Sequence, residues 1–297
     1  MPTATDTRTV RARDVSLSVT RAGDGGRPAV VLVHGYPDTK EVWAPVIERL
    51  ASRFHVIAYD VRGAGGSSAP RGPAAYAMER LADDFAAVCA ALAPDRPVHL
   101  VGHDWGGIQG WEFVTASRFA GQIASFTTIA GPALGHALNA GRAAIRERDL
   151  LRAVDRARRS WYIVPLCLPG GPTVMWRLAL AGGRWRRWLE SVERLPVDDA
   201  YPADSASVDG LHGANLYRRN ILHRLLRGNP LAPAHAPVQL IVPTGDRFIS
   251  PSYYDAAARV APSLSRREVP GSHWAPRAQP DLIATWIASF AAENDPA

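Results

Sequence analysis

Apolar residues in this chain occur as short runs bounded by glycine, proline and other turn residues. Continuous runs of this kind are typical of strands that are buried on both faces of a parallel sheet. They predict strands at residues 29–33, 55–59, 98–101, 123–130, 238–242 and 266–269. Residues 16–20 alternate polar and apolar side chains, which predicts an antiparallel strand near the start of the chain.

Helical spacing of apolar residues separates these strands. It predicts helices at residues 41–51, 77–92, 105–118, 252–260 and 282–290. Strands that alternate with helices indicate an α/β fold with a mostly parallel, doubly wound sheet. The alternation stops between residues 133 and 234, where the pattern is helical, so we expect a core domain of residues 1–132 and 235–297 and a helical cap of residues 133–234.

Composition limits the class of protein. The chain has 297 residues, 47% of them hydrophobic, which suffices for one large core with an insertion. Lys40 is the only lysine, so the other 33 basic residues are arginines, a bias that we attribute to a GC-rich genome. The net charge of +6 is modest and no binding fold is evident, so nucleic acid is not an expected partner. The predicted cap is rich in arginine, with Arg142, Arg146, Arg148, Arg152, Arg156, Arg158 and Arg159 in its first part.

Neither end of the chain shows a targeting or membrane signal. Residues 1–13 are polar and charged, unlike a signal peptide, and no apolar run is long enough to span a bilayer. A cytoplasmic protein is the default expectation, with no second domain after Ala297. Cys89 and Cys167 lie in apolar surroundings, which favours buried free thiols over a disulfide.

The residues from Gly102 to Gly106 have the Gly-x-x-x-Gly spacing of a nucleophile elbow, with Asp104 at the centre. They lie between a predicted strand and a predicted helix, which is the context that an elbow requires. The flanking glycines allow the tight turn. The alternative interpretation is that Asp104 only caps the helix.

A carboxylate nucleophile needs a base, an acid that orients the base, and donors for the developing oxyanion. The base candidate is His273, because among the nine histidines only this one follows the last predicted strand. The acid candidate is Asp246, which follows the strand at 238–242. The oxyanion donors should be the backbone N–H groups of Tyr36 and Trp105, since Pro37 has no N–H.

In sequence order, four motifs resemble those of α/β-hydrolases of the epoxide hydrolase branch. They are His34-Gly35-Tyr36-Pro37, Gly102-His103-Asp104-Trp105-Gly106-Gly107, Gly245-Asp246 and Gly271-Ser272-His273-Trp274. The resemblance covers nearly the whole chain. In this family two cap tyrosines hydrogen-bond the epoxide oxygen and donate a proton as the ring opens.

The resemblance extends to the cap. Asn215-Leu216-Tyr217-Arg218-Arg219-Asn220 is similar to the family's Asn-Trp-Tyr-Arg-Asn stretch, which implies that Tyr217 is one of these acids. Trp161-Tyr162, followed by Pro169-Gly170, resembles the other, and Tyr201 is the reserve candidate. These stretches also look like the cap of actinobacterial epoxide hydrolases, some of which are fused to a short-chain reductase.

The resemblance implies a hydrolase that converts a hydrophobic epoxide into a vicinal diol. Asp104 would form an ester, and His273, held by Asp246, would activate the water that hydrolyses it. Substrate contacts are expected from Pro37, Trp105, Trp161 and Trp274. We expect no metal and no cofactor, because the mechanism needs none and no ligand cluster of the usual spacing is present.

Three alternatives remain open. A haloalkane dehalogenase would use the same Asp, His and Asp, with an indole such as Trp105 or Trp161 holding the halide. A non-catalytic binding protein on a hydrolase fold is the second. The third is contact between a membrane and the basic cap, for which the segment of residues 184–188 combines arginine with tryptophan. The sequence is compatible with a monomer or a homodimer.

Overall fold

The computed structural model describes residues 5–135, 138, 149–227 and 232–296, apart from the side chains of residues 152, 153, 222, 226 and 227. Of the predicted cap arginines, Arg142, Arg146 and Arg148 lie outside the described residues, as does the side chain of Arg152.

The described residues form one sheet of eight strands. These are β1 (Thr5–Arg11), β2 (Ser16–Ala22), β3 (Ala29–Val33), β4 (His55–Tyr59), β5 (Val98–His103), β6 (Ile123–Ile129), β7 (Val238–Pro243) and β8 (Leu264–Val269). Their order across the sheet is β1-β2-β4-β3-β5-β6-β7-β8. β2 is antiparallel to both β1 and β4, and all the other neighbours are parallel. The predicted fold class is therefore confirmed.

Helices connect these strands and build the region between β6 and β7. Among the described residues they are α1 (Ala44–Leu50), α2 (Met78–Leu92), α3 (Trp105–Thr115), α4 (Leu150–Ser160), α5 (Ile163–Cys167), α6 (Gly171–Thr173), α7 (Arg184–Trp188), α8 (Ala206–Arg227), α9 (Ala275–Ala278) and α10 (Pro280–Glu293). Two wider π-helical segments, Val174–Ala179 and Leu189–Glu193, continue α6 and α7.

The core has two layers, one on each face of the sheet. β3 and β4 are completely buried, as their continuous apolar runs predict. α1 and α10 pack against one face, and α2 and α3 pack against the other. Parallel strands of this kind place their carboxyl ends at one common edge of the sheet.

The structure departs from the predictions at two elements. β1 was not expected, because Val10 is the one apolar residue in Thr5–Arg11; the strand is held at the sheet edge by its backbone ladder with β2. The helix expected at residues 252–260 is wrong. In its place are two 3₁₀ turns, Pro251–Tyr254 and Ala257–Arg259, in which the neighbouring residues Tyr253 and Tyr254 are both buried.

The described segment between β6 and β7 contains no strand and lies over the carboxyl edge of the sheet. The Asn220 side chain of α8 donates to the carbonyl of Tyr76, and Arg224 pairs with Glu112 of α3. These contacts fix α8 against the core. Across the residues that the structure describes, no helix combines the length and the apolar character needed to cross a bilayer.

Candidate active site

A sharp turn between β5 and α3 carries Asp104. Its backbone has φ 51° and ψ −119°, a region that side-chain-bearing residues rarely adopt. The turn is possible because glycines stand two residues before and two residues after Asp104. A Cβ on Gly102 would lie 2.4 Å from the carbonyl of Gly106, and one on Gly106 would lie 2.0 Å from the carbonyl oxygen of Val33. The Gly-x-x-x-Gly pattern therefore has the strand–turn–helix context expected of it.

The three residues predicted to act together are adjacent and buried. His273 Nδ1 lies 2.7 Å from Asp246 Oδ2, and His273 Nε2 lies 3.5 Å from Asp104 Oδ2. The other oxygen of Asp246 accepts hydrogen bonds from the N–H groups of Phe248 at 2.7 Å and Ile249 at 2.9 Å. Asp246 is thus held in one orientation, with one oxygen aimed at the imidazole.

The electrostatics of His273 follow from this geometry. Burial by itself would lower the pKa of His273, but the carboxylates of Asp246 and Asp104 outweigh it and hold that pKa well above its usual value. Both carboxylates therefore favour the protonated form of the imidazole.

Backbone donors face the carboxylate of Asp104. The N–H of Tyr36 donates to Asp104 Oδ1 at 2.8 Å. Trp105 follows Asp104 as the first residue of α3, where a helix N–H has no partner within the helix. Gly35 permits this approach, because a Cβ there would lie 2.4 Å from the Cβ of Asp104. Of the two predicted oxyanion donors, the N–H of Tyr36 thus contacts the carboxylate directly, and the N–H of Trp105 belongs to the next residue in the chain.

Tyr162 and Tyr217 line the same cavity as Asp104 and His273. Their ring centroids are 6.1 Å apart, and the Tyr217 ring packs edge-on against Trp105 at 4.9 Å. Burial, reinforced by the charge of Asp104, raises the pKa of both hydroxyls well above the usual tyrosine value. Both hydroxyls therefore stay protonated near neutral pH.

Tyr201, the reserve candidate, is elsewhere. It is buried, and its hydroxyl donates to Asp38 Oδ1 at 2.9 Å, so it does not line the cavity. The structure therefore brings Tyr162 rather than Tyr201 to the site.

The cavity has a volume of about 680 Å³, and nine of its 21 lining residues are aromatic. Besides the two tyrosines, its aromatic wall comprises Tyr36, Trp161, Trp176, Trp185, Trp188, Phe248 and Trp274. Of the predicted substrate contacts, Pro37, Trp161 and Trp274 line it, whereas Trp105 is packed beneath Tyr217 and does not. Such a wall suits an apolar ligand with few polar groups.

Polar contacts tie the helices above the cavity to the sheet edge below it. The guanidinium of Arg159 on α4 donates to the carbonyl oxygen of Asp246. Arg247 Nε lies 3.4 Å from Glu193 Oε1, the carboxylate at the end of the second π-helical segment. Both arginines line the cavity, so charged groups form part of its wall beside the aromatic side chains.

Sequence reasoning missed a second buried acid, Asp38. It accepts hydrogen bonds from Trp274 Nε1 at 2.8 Å and from Tyr201, and it lies 3.9 Å from His103 Nδ1. Burial raises the pKa of Asp38 to about 7. The only available signal was its position directly after Pro37 in the first motif.

His103, the residue before Asp104, contacts His273 without lining the cavity. Its Nε2 lies 3.0 Å from the carbonyl oxygen of His273, and the two rings are 4.9 Å apart. Burial lowers the pKa of His103 to about 4, so this imidazole is neutral and donates to that carbonyl. His103 therefore supports the backbone of His273 from below.

No group of three or more His, Cys, Asp or Glu side chains that could hold a metal ion occurs within the described part of the chain. His34, which is close to the site in sequence, instead accepts the N–H of Val61 at 2.8 Å and braces two loops. The chemistry available at the site is therefore that of carboxylates, imidazole, hydroxyls and backbone N–H groups.

A mostly parallel sheet with a strained turn after β5, and with an acid and a histidine after β7 and β8, defines an α/β-hydrolase. The chain belongs to this family: residues 28–276 match the family model described as alpha/beta hydrolase fold. Fold and family are therefore established together.

Particular relatives carry more specific names. The chain is 35% identical over 284 residues to a Mycobacterium tuberculosis protein named "Probable oxidoreductase EphD", a match covering 93% of this chain and 48% of that protein. It is 37% identical over 131 residues to "Epoxide hydrolase A" of the same organism, a match covering 44% of this chain and 40% of that protein. The chain thus spans about half the length, or less, of the curated relatives that it matches.

Among solved structures, the chain resembles Bacillus megaterium epoxide hydrolase in complex with an inhibitor. The TM-score is 0.77 at 23% sequence identity, covering 96% of this chain and all of the other. At this level of identity the likeness concerns the fold.

Proposed function

We propose that this chain is an epoxide hydrolase, which opens an epoxide to a vicinal diol through a covalent ester on Asp104. The observation that carries the proposal is a carboxylate on the elbow, 3.5 Å from His273, in a cavity that Tyr162 and Tyr217 also line. A serine there would form an ether, which hydrolysis by an activated water cannot cleave. A carboxylate forms an ester, which it can.

The first step is the opening of the epoxide ring. One carboxylate oxygen of Asp104 attacks an epoxide carbon, and a C–O bond of the ring breaks. The departing oxygen takes a proton from Tyr217 or Tyr162, whose raised pKa values keep both hydroxyls protonated until that point. The product of this step is a hydroxyalkyl ester of Asp104.

The second step is hydrolysis of the ester. Once Asp104 is esterified it is uncharged, so one of the two carboxylates that hold the proton on His273 is lost. The imidazolium of His273 passes that proton, directly or through water, to the phenolate that ring opening left on the tyrosine. The neutral imidazole, oriented by Asp246, then accepts a proton from water, and the resulting hydroxide attacks the ester carbonyl. The N–H groups of Tyr36 and Trp105 stabilise the oxyanion. As the ester C–O bond breaks, the departing diol oxygen takes the proton of the new carboxyl group, and Asp104 returns as a carboxylate.

We further propose that the substrate is a small hydrophobic epoxide, because the wall of the cavity is aromatic. The domain organisation proposed for this reaction is a core of residues 1–132 and 235–297 beneath a cap of residues 133–234. No step requires a metal or an organic cofactor.

The longer relatives are named as oxidoreductases, and we propose that the half they share with this chain is a hydrolase, since every residue invoked here lies within the matched family model.

A haloalkane dehalogenase is the competing assignment, and two of the indoles that line the cavity are already engaged. Halide binding needs free N–H donors, but the indole of Trp176 donates to the Tyr36 hydroxyl at 2.6 Å. The indole of Trp274 donates to Asp38. Neither can hold a halide without losing its present partner.

Turnover of styrene oxide, with a bromoalkane tested in parallel, distinguishes the two activities. We expect diol from the wild-type protein, none above background from Asp104→Asn, and no halide release from either. Halide without diol would establish the dehalogenase instead. If Asp104→Asn retained diol formation, the proposed nucleophile would be wrong.

A further inference from the structure

The helices that cover the cavity carry apolar residues on their outer, solvent-exposed side. Helices in such a position normally carry polar residues there. Val164, Leu168, Val174 and Leu178 are 61%, 54%, 58% and 69% exposed. Single exposed apolar residues are ordinary, but these four belong to consecutive elements that pack on one another, from α5 through α6 into the π-helical segment. Together with Arg177 and Arg184 we call them the outer cap face.

This face and the cavity are two sides of the same short helix. Within Val174–Ala179, Met175, Trp176 and Ala179 line the cavity, whereas Val174, Arg177 and Leu178 face outward. A surface helix normally carries polar residues on the side opposite its buried face, so the apolar residues on this outer side are unusual.

The outer cap face is continuous with the cavity mouth. Trp161 lines the cavity and is 64% exposed, and it comes two residues before α5. Trp161 therefore places an exposed part of the cavity wall next in the chain to α5, the first element of the outer cap face.

The charge on this face identifies its partner. Arg177 and Arg184 are exposed, and neither forms an ion pair with a carboxylate among the described residues. The guanidinium of Arg184 instead donates to the carbonyls of Ala179 at 2.8 Å and Leu178, which places its charge beside the apolar side chain of Leu178. Apolar side chains surrounded by unpaired arginines are the composition of helices that lie in the interface of an anionic bilayer.

We propose that the outer cap face binds the surface of an anionic lipid bilayer, with its apolar side chains in the acyl boundary and its arginines at the headgroups. This contact is peripheral and reversible. It would let a lipophilic substrate enter the cavity from the bilayer. That delivery role rests on the proposed function, but the binding itself does not.

Sedimentation with phosphatidylglycerol vesicles tests the proposal without any need for turnover. At low salt we expect the wild-type protein to sediment with these vesicles and not with phosphatidylcholine vesicles. Binding should be lost at about 1 M salt, where the Debye length is about 3 Å. Arg177→Gln should weaken binding about fivefold, the effect of one basic residue near a charged membrane surface.

The decisive variant is Val174→Asp with Leu178→Asp, which places two charges on the outer cap face. We expect at least tenfold weaker vesicle binding, with turnover of a water-soluble epoxide unchanged because neither residue lines the cavity. The matched control is Ser52→Asp with Thr285→Asp, which adds the same charge at exposed positions of the core and should bind as the wild type does.

Three outcomes would overturn the proposal. One is a wild-type protein that remains in the supernatant with anionic vesicles at low salt. Another is equal loss of binding in the control and in the cap variant. The third is a self-association result from analytical ultracentrifugation, in which the wild-type protein is a dimer, the cap variant is a monomer, and neither binds vesicles. That result would assign the outer cap face to contact with a second copy of the chain. If neither the wild-type protein nor its variants turned over an epoxide, the proposed function would be refuted, but the conclusion on vesicle binding would not change.

Discussion

Asp246→Asn should separate the two proposed chemical steps. Asp246 Oδ1 accepts hydrogen bonds from the N–H groups of Phe248 and Ile249 at 2.7 and 2.9 Å. In the variant only the amide oxygen can accept both of these bonds. The amide NH₂ therefore takes the position of Oδ2 and faces Nδ1 of His273, which was 2.7 Å from that oxygen.

An NH₂ group facing Nδ1 forces the neutral imidazole to carry its proton on Nε2. That tautomer cannot accept a proton from water, so hydrolysis of the ester should fall by about 10⁴-fold, the effect of such a substitution in a comparable triad. At 1.36 kcal/mol for each tenfold change in rate, this corresponds to about 5.4 kcal/mol of transition-state stabilisation. Ring opening uses Asp104 and the tyrosines, so it should continue.

The expected result is that the variant accumulates as the covalent ester between Asp104 and the substrate. Intact mass spectrometry after mixing with styrene oxide should show a gain of one substrate mass, located by digestion on the peptide that contains Asp104. Asp104→Asn is the control and should gain nothing. Wild-type turnover in Asp246→Asn, or an inactive variant that forms no adduct, would refute this reasoning.

Three further predictions concern other parts of the molecule. Tyr217→Phe and Tyr162→Phe should each slow ester formation by about 10²-fold while leaving ester hydrolysis unchanged, as measured by rapid-quench kinetics; equal slowing of both steps would contradict their assignment as acids. The pKa of Asp38 is raised from 3.8 to about 7, so its contribution to the free energy of unfolding is fully present below pH 4. That contribution, at most about 4 kcal/mol, is lost as the pH rises through 7. Urea unfolding between pH 4 and 8 should therefore show a flatter pH dependence in Asp38→Asn than in the wild type, and parallel curves would contradict this origin. Gly106→Ala would place a Cβ 2.0 Å from the Val33 carbonyl oxygen and should lower the free energy of unfolding by about 3 kcal/mol, whereas an unchanged urea midpoint would mean that the elbow can relax.

Much of the core was predictable because local pattern and tertiary environment agree there. β3 and β4 match their predicted bounds to the residue, since a fully buried parallel strand has a continuous apolar run. The turn at Asp104 was predictable for a related reason, because backbone atoms of Gly106 and Val33 leave room only for glycine at Gly102 and Gly106.

The remaining features depend on contacts that no local pattern encodes. β1 has one apolar residue and is held by backbone pairing, so hydrophobicity gives no signal for it. Asp38 acquires its environment from Trp274, which is 236 residues away in the chain. The choice between Tyr162 and Tyr201 as the second cap tyrosine likewise depends on tertiary contacts, because Tyr162 reaches the cavity and Tyr201 reaches Asp38.

The measurement that tests the central claim most directly is a single turnover in ¹⁸O-labelled water with enzyme in excess over epoxide. If Asp104 is the nucleophile, the oxygen added to the diol in that turnover comes from the carboxylate of Asp104, so the diol should be unlabelled. The peptide containing Asp104 should gain ¹⁸O instead. A labelled diol with an unlabelled Asp104 would mean that water attacks the epoxide directly, which would contradict the ester mechanism.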